Sequence, residues 1–438
     1  MAKKTAQKKK IKEADRADSV KREKESLPAA KKTSKTEIIE GYLNLKYDFR
    51  YNTIKCKPEI LNVSKDEKDF YPLDKYRLNS LKRELDTNGI ESSTNTIKEI
   101  LESDFAPRIN PIQEYFKELK APKIEKDYIK LLSETVTVKN KEKWLHYLTK
   151  WLVAVVANAM TDIGCQNHTC LVLTGAQGKG KTTWLTNLCP KKLTNYNYVG
   201  RIDPTNKDSL TYLAEYLFIN IDDQLKTLNK KDENELKNLI TIPYVKYRRP
   251  YDPYITEYPH LASFMASVNG NDFLTDPTGS RRFLPFEIDN FDTEKSTNIN
   301  MDNVFYQAYK LFLQGFKYYF NDEEIQELHH NNKAFQVIST EEQLIQHFFK
   351  VPTTRAQATH YLNNAMIQDT IEKGTRAKLF PKKIGEALTK LGFEKWQQTR
   401  SGQTAWVYSV ILKTEIERDE ENKNTPEAEP WEKLNKVV

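Results

Sequence analysis

The sequence predicts an α/β fold in three layers, a sheet held between helices, and three stretches carry that expectation. Leu171 to Leu185 reads as an apolar strand, a glycine-rich loop and a helix, in that order. Leu217 to Asp223 is an apolar strand ending in two acids, and Ser263 to Asn269 is an apolar strand ending in a polar residue. Continuous apolar runs of this length are what a sheet covered on both faces requires.

In the first stretch the spacing Gly175-x4-Gly180-Lys181-Thr182 fits a phosphate-binding loop at every specified position. Glycine lacks a Cβ, so Gly175, Gly178 and Gly180 let the loop turn its N–H groups inward around a phosphate, with Gln177 and Lys179 between them. The helix opened by Lys181, Thr182 and Thr183 adds its positive N-terminal end. Lys181 is placed to reach the β and γ phosphates of ATP, and the Thr182 hydroxyl to ligate Mg²⁺.

The acids Asp222 and Asp223 follow Lys181 by about forty residues. In a second nucleotide motif the first carboxylate holds the magnesium shell and the second orients and activates water. Asn269 suits a sensor of the γ-phosphate. Asp276-Pro-Thr-Gly-Ser-Arg281-Arg282 leads into a further strand, Phe283 to Ile288, and the two arginines suit a finger for transition-state charge.

Length and composition bound these readings. A chain of 438 residues with 38% apolar content can bury two or three cores. Its 29% charged residues and mean hydropathy of -0.72 describe a soluble protein. Trp151 to Met160 is about half a membrane span and reads as a buried helix, so no membrane partner is expected. Four scattered cysteines and the lack of an apolar segment behind the N-terminal lysines point to a reducing cytoplasm. Cys165-x2-His168-x-Cys170 supplies three metal-type ligands without a fourth.

Residues 1–36 hold eleven Lys and two Arg against five acids, a net +8 that exceeds the +7 of the whole chain. This stretch lacks aromatics and is expected to be disordered, either solubilising or touching nucleic acid. Residues 37–142 read as a mixed, mainly helical N-terminal region, with strands between Phe49 and Ile60. Residues 143–325 read as the nucleotide-binding domain, opened by a helix from Lys143 to Thr161. Within it, Tyr244 to Tyr251 forms a basic and aromatic hairpin, which is either a nucleic-acid contact or an ordinary exposed turn. Met301 to Phe320 reads as one long helix.

Residues 340–412 form a separate module. Helices are expected at Glu341 to Phe349, Arg355 to Asn363 and Pro381 to Leu391, followed by strands at Phe393 to Gln398 and Ala405 to Leu412. Three helices and a hairpin suggest a winged helix, which contacts either DNA or protein. Residues 413–438 read as an acidic disordered end.

Asn167-His168, the loop GAQGKGKTTW, the Asp222-Asp223 strand, Leu236-Lys237 with Thr241, Arg249-Pro250-Tyr251, Ala262-Ser263-Phe264, Asn269 and Asp276 to Phe283 together resemble the virulence-associated protein E family. That family's ATPase domain is similar to AAA+-type superfamily 3 helicases and poxvirus-type primase-helicases, and it occurs in phages, bacteria and other mobile elements. The resemblance spans roughly residues 100 to 330. It implies that Lys181 and Thr182 serve ATP and Mg²⁺, Asp222 and Asp223 the second motif, Asn269 the sensor, and Arg281 or Arg282 the finger. The family usually has Glu where this chain has Asp223. No primase-type constellation of acids and histidine is visible upstream.

The expectation is therefore a P-loop ATPase that works as a DNA helicase or translocase in replication of a mobile element. Its implied partners are single-stranded or forked DNA and further copies of itself in a ring, a hexamer by resemblance. Two other readings stay open: an NTPase switch in defence or signalling, and a DNA-binding initiator that does not unwind.

Overall fold

The computed structural model describes residues 33–249, 252–275, 280–375, 377–400 and 403–418. The basic stretch up to residue 32, Pro250 and Tyr251 of the hairpin, Asp276 to Gly279, the turn residues Ser401 and Gly402, and the acidic end from residue 419 lie outside them.

The chain enters on α1 (Lys35–Asn44). Ser34 Oγ accepts from Glu37 N, and the Glu37 carboxylate accepts from Ser34 N, a reciprocal cap that satisfies two otherwise orphaned donors. The cap and first residues of this helix, Ser34 to Thr36, therefore lie inside the stretch 1–36 assigned to the tail. Strands β1 (Tyr47–Asn52), β2 (Lys57–Asn62) and β3 (Tyr71–Pro72), helices α2 (Lys75–Thr87) and α3 (Thr94–Leu101), and strand β4 (Arg108–Ile109) follow. The sheet order is β3-β2-β1-β4. Its core joins Ile39, Leu43, Phe49, Leu81, Leu85, Ile97 and Leu101.

Next come α4 (Pro111–Glu118), α5 (Tyr128–Ser133), β5 (Val136–Val138) and α6 (Lys141–Met160). Ile112, Phe116, Ile129, Leu132, Val136 and Val138 share one hydrophobic cluster with Trp144, Trp151 and Leu171. The packing boundary thus falls near residue 110, ahead of residue 143 where the sequence sets it. Apolar spacing shows that a helix has a buried face but not which core that face meets.

The central elements are β6 (Cys170–Gly175), α7 (Lys181–Asn187), β7 (Asn197–Gly200), α8 (Asp208–Glu215), β8 (Phe218–Asp222), α9 (Lys230–Thr241), β9 (Tyr244–Tyr247), β10 (Thr256–Pro259), β11 (Ser263–Asn269), β12 (Phe283–Phe291), α10 (Thr293–Asn298), α11 (Met301–Leu313) and α12 (Asp322–Asn332). Six strands form a sheet in the order β5-β12-β6-β11-β8-β7. The pairs are parallel from β12 to β7, and β5 pairs antiparallel with β12.

Alternation along the strands divides two cores. Leu171, Leu173, Met265 and Leu284 pack with Trp151 of α6, Leu185 of α7 and Phe305 of α11 on one face. Cys170, Val172, Phe264 and Ala266 pack with Leu213 of α8 and Leu236 of α9 on the other. Burying a side chain the size of Leu or Phe contributes about 1.5–3 kcal/mol, so both faces hold the sheet in place. The run Trp151 to Ala159 is buried within α6, and among the described residues no helix is long and apolar enough to cross a membrane.

The helix expected from Met301 to Phe320 stops at Leu313, because Gly315 takes φ 77° and turns the chain back. The last module contains α13 (Thr340–Phe348), β13 (Phe349–Lys350), β14 (His360–Leu362), α14 (Asn364–Gly374), α15 (Pro381–Lys390), β15 (Lys395–Arg400) and β16 (Gln403–Leu412). The middle helix is not Arg355 to Asn363. His360 to Leu362 pair with β16 instead, and Asn363 caps α14 by accepting from Met366 N. An asparagine followed by an amphipathic run marks that start better than the spacing before it. Residues 413–418 also pack: Lys413 is buried, Glu417 pairs with Lys350, and Arg418 lies over the Phe348 ring.

Candidate functional site

Strand register assembles the site. Asn269 lies opposite Gly175 and Ser267 opposite Asp222, so the glycine loop and the ends of β8 and β11 open on one cavity of about 280 Å³. Gly175 has φ 134°, and a Cβ there would stand 2.8 Å from the Ile288 carbonyl oxygen. Only glycine lets β6 leave the sheet this close to β12. Gln177, Gly178, Lys179, Gly180, Lys181, Thr182 and Thr183 line the cavity. The Lys179 ammonium, however, bonds to the carbonyl of Asp289.

Lys181 is buried, and its Nζ donates to the carbonyls of Gly175 and Ala176 at 3.0 and 2.7 Å and to Asn269 Oδ1 at 3.1 Å. Burial holds its pKa below the ordinary lysine value, against the opposing pull of Asp223 and Asp222. The ammonium therefore stands at the cavity wall with neutral acceptors around it.

Asp222 Oδ1 accepts from Thr182 Oγ1 and from Ser267 Oγ, both at 2.7 Å. These oxygens form a set that suits a hard divalent cation. Asp223 sits just past β8 with φ 47°. That conformation costs a non-glycine residue about 1–2 kcal/mol, with Asp among the types that tolerate it. The Asp223 N–H donates to Ser267 O at 3.1 Å, and its Oδ1 accepts from Asn269 N at 3.3 Å. The turn thus lays the second carboxylate across the end of β11.

The structure brings together Lys181, Thr182, Asp222, Asp223 and Asn269, and adds Ser267, which the sequence reading passed over. Ser267 lies two residues before Asn269, so strand alternation puts both on the same side, and that was the available signal. A second omission is the chain Thr174 Oγ1 to Asn271 Oδ1 at 2.8 Å and Asn271 Nδ2 to Glu287 at 2.7 Å, which ties the end of β6 to the segment after Asn269.

Arg281 and Arg282 are not at this cavity. Phe283 pairs with Cys170, at the opposite end of the strand from Gly175, a separation of about 17 Å at roughly 3.3 Å per residue. Arg281 is exposed and Arg282 half-buried, and both line a different cavity.

The metal-like triplet dissolves in the fold. The Cys170 side chain is buried in a hydrophobic cluster, while the His168 ring pairs with the Cys165 carbonyl at 2.9 Å. Among the described residues no His, Cys, Asp and Glu group of three or more is placed to hold a metal. In the hairpin, Arg249 turns inward. Its guanidinium donates to Glu215 at 2.5 Å and to the carbonyls of Ile54 and Lys55 at 3.2 and 3.3 Å. The Tyr247 and Tyr258 rings stack on each other at 4.7 Å. Of the basic residues in this hairpin, Lys246 pairs with Glu257, and Arg248 remains exposed.

No curated protein matches the sequence. Among solved structures, the apo structure of the NrS-1 C-terminal region (305–718) aligns with a TM-score of 0.49 at 12% identity, over 87% of this chain and 100% of that chain. An A form of the same apo region gives a TM-score of 0.48 at 12% identity, with the same two coverages. The family model described as the virulence-associated protein E-like domain matches residues 119–337, half of the sequence. It takes in the glycine loop, both acids, Ser267, Asn269 and the arginine pair, and this chain belongs to the virulence-associated protein E-like family.

Proposed function

We propose that the chain is an ATP-hydrolysing motor of superfamily 3 helicase type, acting on single-stranded or forked DNA during replication of a mobile element. The observation that carries this reading is the convergence of Lys181, Thr182, Asp222, Asp223 and Asn269 on one cavity at the carboxyl ends of parallel strands. Helices on both faces of that sheet support a three-layer P-loop core of AAA+ type, from about residue 111 to about 337. The helices α13, α14 and α15 with the β15–β16 hairpin support a winged-helix-like module over residues 340–412.

In this reading Lys181 leaves its loop carbonyls for the β and γ phosphates of ATP, and Asn269, freed of the ammonium, turns its amide to the γ-phosphate. Thr182 and Asp222 would hold Mg²⁺, with Ser267 fixing the carboxylate. Bound there, Mg²⁺ neutralises phosphate charge. Asp223 positions the attacking water and takes up its proton. Among the described residues, none lining the site is an arginine for the charge that develops on the γ-phosphate. Arg281 or Arg282, some 17 Å away by strand length, serves a neighbouring copy in a ring, most simply a hexamer.

The test is the rate of ATP hydrolysis with and without single-stranded and forked DNA, followed by strand displacement. DNA-stimulated hydrolysis with unwinding is expected. Hydrolysis indifferent to DNA would favour an NTPase switch, and DNA binding with hydrolysis but no displacement would favour an initiator.

A further inference from the structure

Asn271 lies two residues beyond Asn269 and is tied down on both sides. Its Oδ1 accepts from Thr174 Oγ1 at 2.8 Å, and its Nδ2 donates to Glu287 Oε1 at 2.7 Å. The other carboxylate oxygen, Glu287 Oε2, accepts from the exposed Lys139 ammonium at 2.9 Å. An ionised carboxylate only accepts, so it fixes which end of the Asn271 amide faces β12 and leaves the oxygen end for the Thr174 hydroxyl. The bonds from Asn271 and then Lys139 hold the Glu287 pKa below the ordinary carboxylate value. Between the two asparagines, Gly270 takes φ 82° and its N–H donates to the Gly175 carbonyl at 3.2 Å.

Strand alternation separates this chain of bonds from the cavity of the glycine loop. Thr174 follows Val172 by two residues and stands opposite Glu287, on the face of the sheet that packs against α8 and α9. Ser267 and Asn269 follow Met265 at steps of two, on the face that packs against α7. Neither Asn271 nor Glu287 lines the glycine-loop cavity, so Glu287 bears on Asn269 through the backbone of residues 269–271. In this structure Asn269 is also held by Lys181. The ATPase reading moves that ammonium to the phosphates. Asn269 is then kept in place by Asp223 on its N–H, by the Gly270 bond to Gly175, and by the Thr174–Asn271–Glu287 chain.

We propose that Glu287 is a positioning residue for ATP hydrolysis: through Asn271 it holds the 269–271 turn, and so aims the Asn269 amide at the γ-phosphate once Lys181 has left it. This role rests on the ATPase reading above. Lys139 is peripheral to it, since an exposed ion pair contributes little. A misaimed amide loses its contact with charge that develops in the transition state, so the loss falls on kcat and spares ATP affinity.

The experiment measures kcat and ATP binding in the full chain, with thermal unfolding as the check on folding. Glu287→Ala and Asn271→Ala should each lower kcat about tenfold while ATP affinity stays within about twofold. Glu287→Gln, which keeps an acceptor oxygen for Asn271, should recover kcat to within about threefold of the wild type. In an Asn269→Ala chain either alanine substitution should cost less than about twofold, because both act through the same amide. Should Glu287→Ala not fold, Asn271→Ala carries the test. Wild-type turnover that Lys181→Ala removes is required first; without it the ATPase reading falls, and this role with it. With that turnover present, an unchanged kcat in the alanine variants overturns the proposal alone. So does a loss carried by ATP affinity, a loss of equal size in the Asn269→Ala chain, or no recovery in Glu287→Gln.

Discussion

Asn269 Oδ1 accepts a hydrogen bond from Lys181 Nζ at 3.1 Å, although the two residues are 88 positions apart in the chain. One belongs to the helix after the glycine loop and the other to the end of β11, and parallel register makes them neighbours. Replacing Lys181 with Ala should abolish ATP hydrolysis and weaken ATP binding at least tenfold. Asn269→Ala should leave binding within a few-fold while lowering kcat by 10² or more, because a sensor acts on the γ-phosphate rather than on affinity. Equilibrium binding of a fluorescent ATP analogue beside steady-state turnover separates the two. Turnover near normal in Lys181→Ala would remove the ATPase reading.

Asp222 and Asp223 are adjacent but differently held, so their amide variants should part company. Asp222 is fixed by Thr182 and Ser267, and Asp222→Asn should raise the Mg²⁺ concentration needed for half-maximal rate. Asp223→Asn should bind Mg²⁺ and ATP normally and hydrolyse at under 1% of the wild-type rate. Ser267→Ala, which only frees the Asp222 carboxylate, should show a milder form of the Asp222 effect. A magnesium titration of the three variants checks the order.

The arginine pair gives a mixing prediction. If Arg281 or Arg282 serves a neighbour, its Ala variant binds ATP and hydrolyses little, and mixing that variant with Lys181→Ala restores some activity where an intact loop faces an intact arginine. Fingers of this kind contribute on the order of 10³ to 10⁵ in rate, so even a small fraction of such interfaces is measurable. No recovery in mixtures shown to co-assemble would exclude a shared site.

The buried imidazole of His260 provides a pH test of stability. Burial drives its pKa from 6.5 down to about 4, so the folded chain keeps the ring neutral where the unfolded chain would protonate it. Its contribution is complete above pH 6.5 and is lost as pH falls toward 4. At about 1.36 kcal/mol per pKa unit the loss is on the order of 3 kcal/mol. His260→Gln should flatten the acid limb of the stability profile, read by urea unfolding at intervals between pH 4 and 7. An unchanged slope would mean that other groups set it.

Strands β6, β8 and β11 and the residues of the glycine loop were legible in the sequence, because each of these strands is an apolar run ending in a glycine or polar residue, whereas their order in the sheet was not. Ser267 was not singled out, since its spacing from Asn269 marks only a shared side of the strand, and the register alone puts it beside Asp222. Helix α14 was displaced for a different reason. The strand His360 to Leu362 is too short to show alternation, and only its pairing with β16 reveals it. Arg249 stood in the sequence as part of either a nucleic-acid contact or an exposed turn, because its acceptors, Ile54 and Lys55, are about two hundred residues away.

That last contact bears on how such a protein can be recombined. The family-matched segment starts at residue 119, yet Arg249 relies on two carbonyls at residues 54 and 55, and Tyr196 receives a bond from Asn52 at 2.7 Å. A chimera that grafts residues 119–337 onto a foreign leader would strand a half-buried guanidinium with fewer acceptors. The unit that can be traded between relatives without repair therefore includes the β1–β2 turn. Sequence exchange among relatives should leave that turn and Arg249 travelling together.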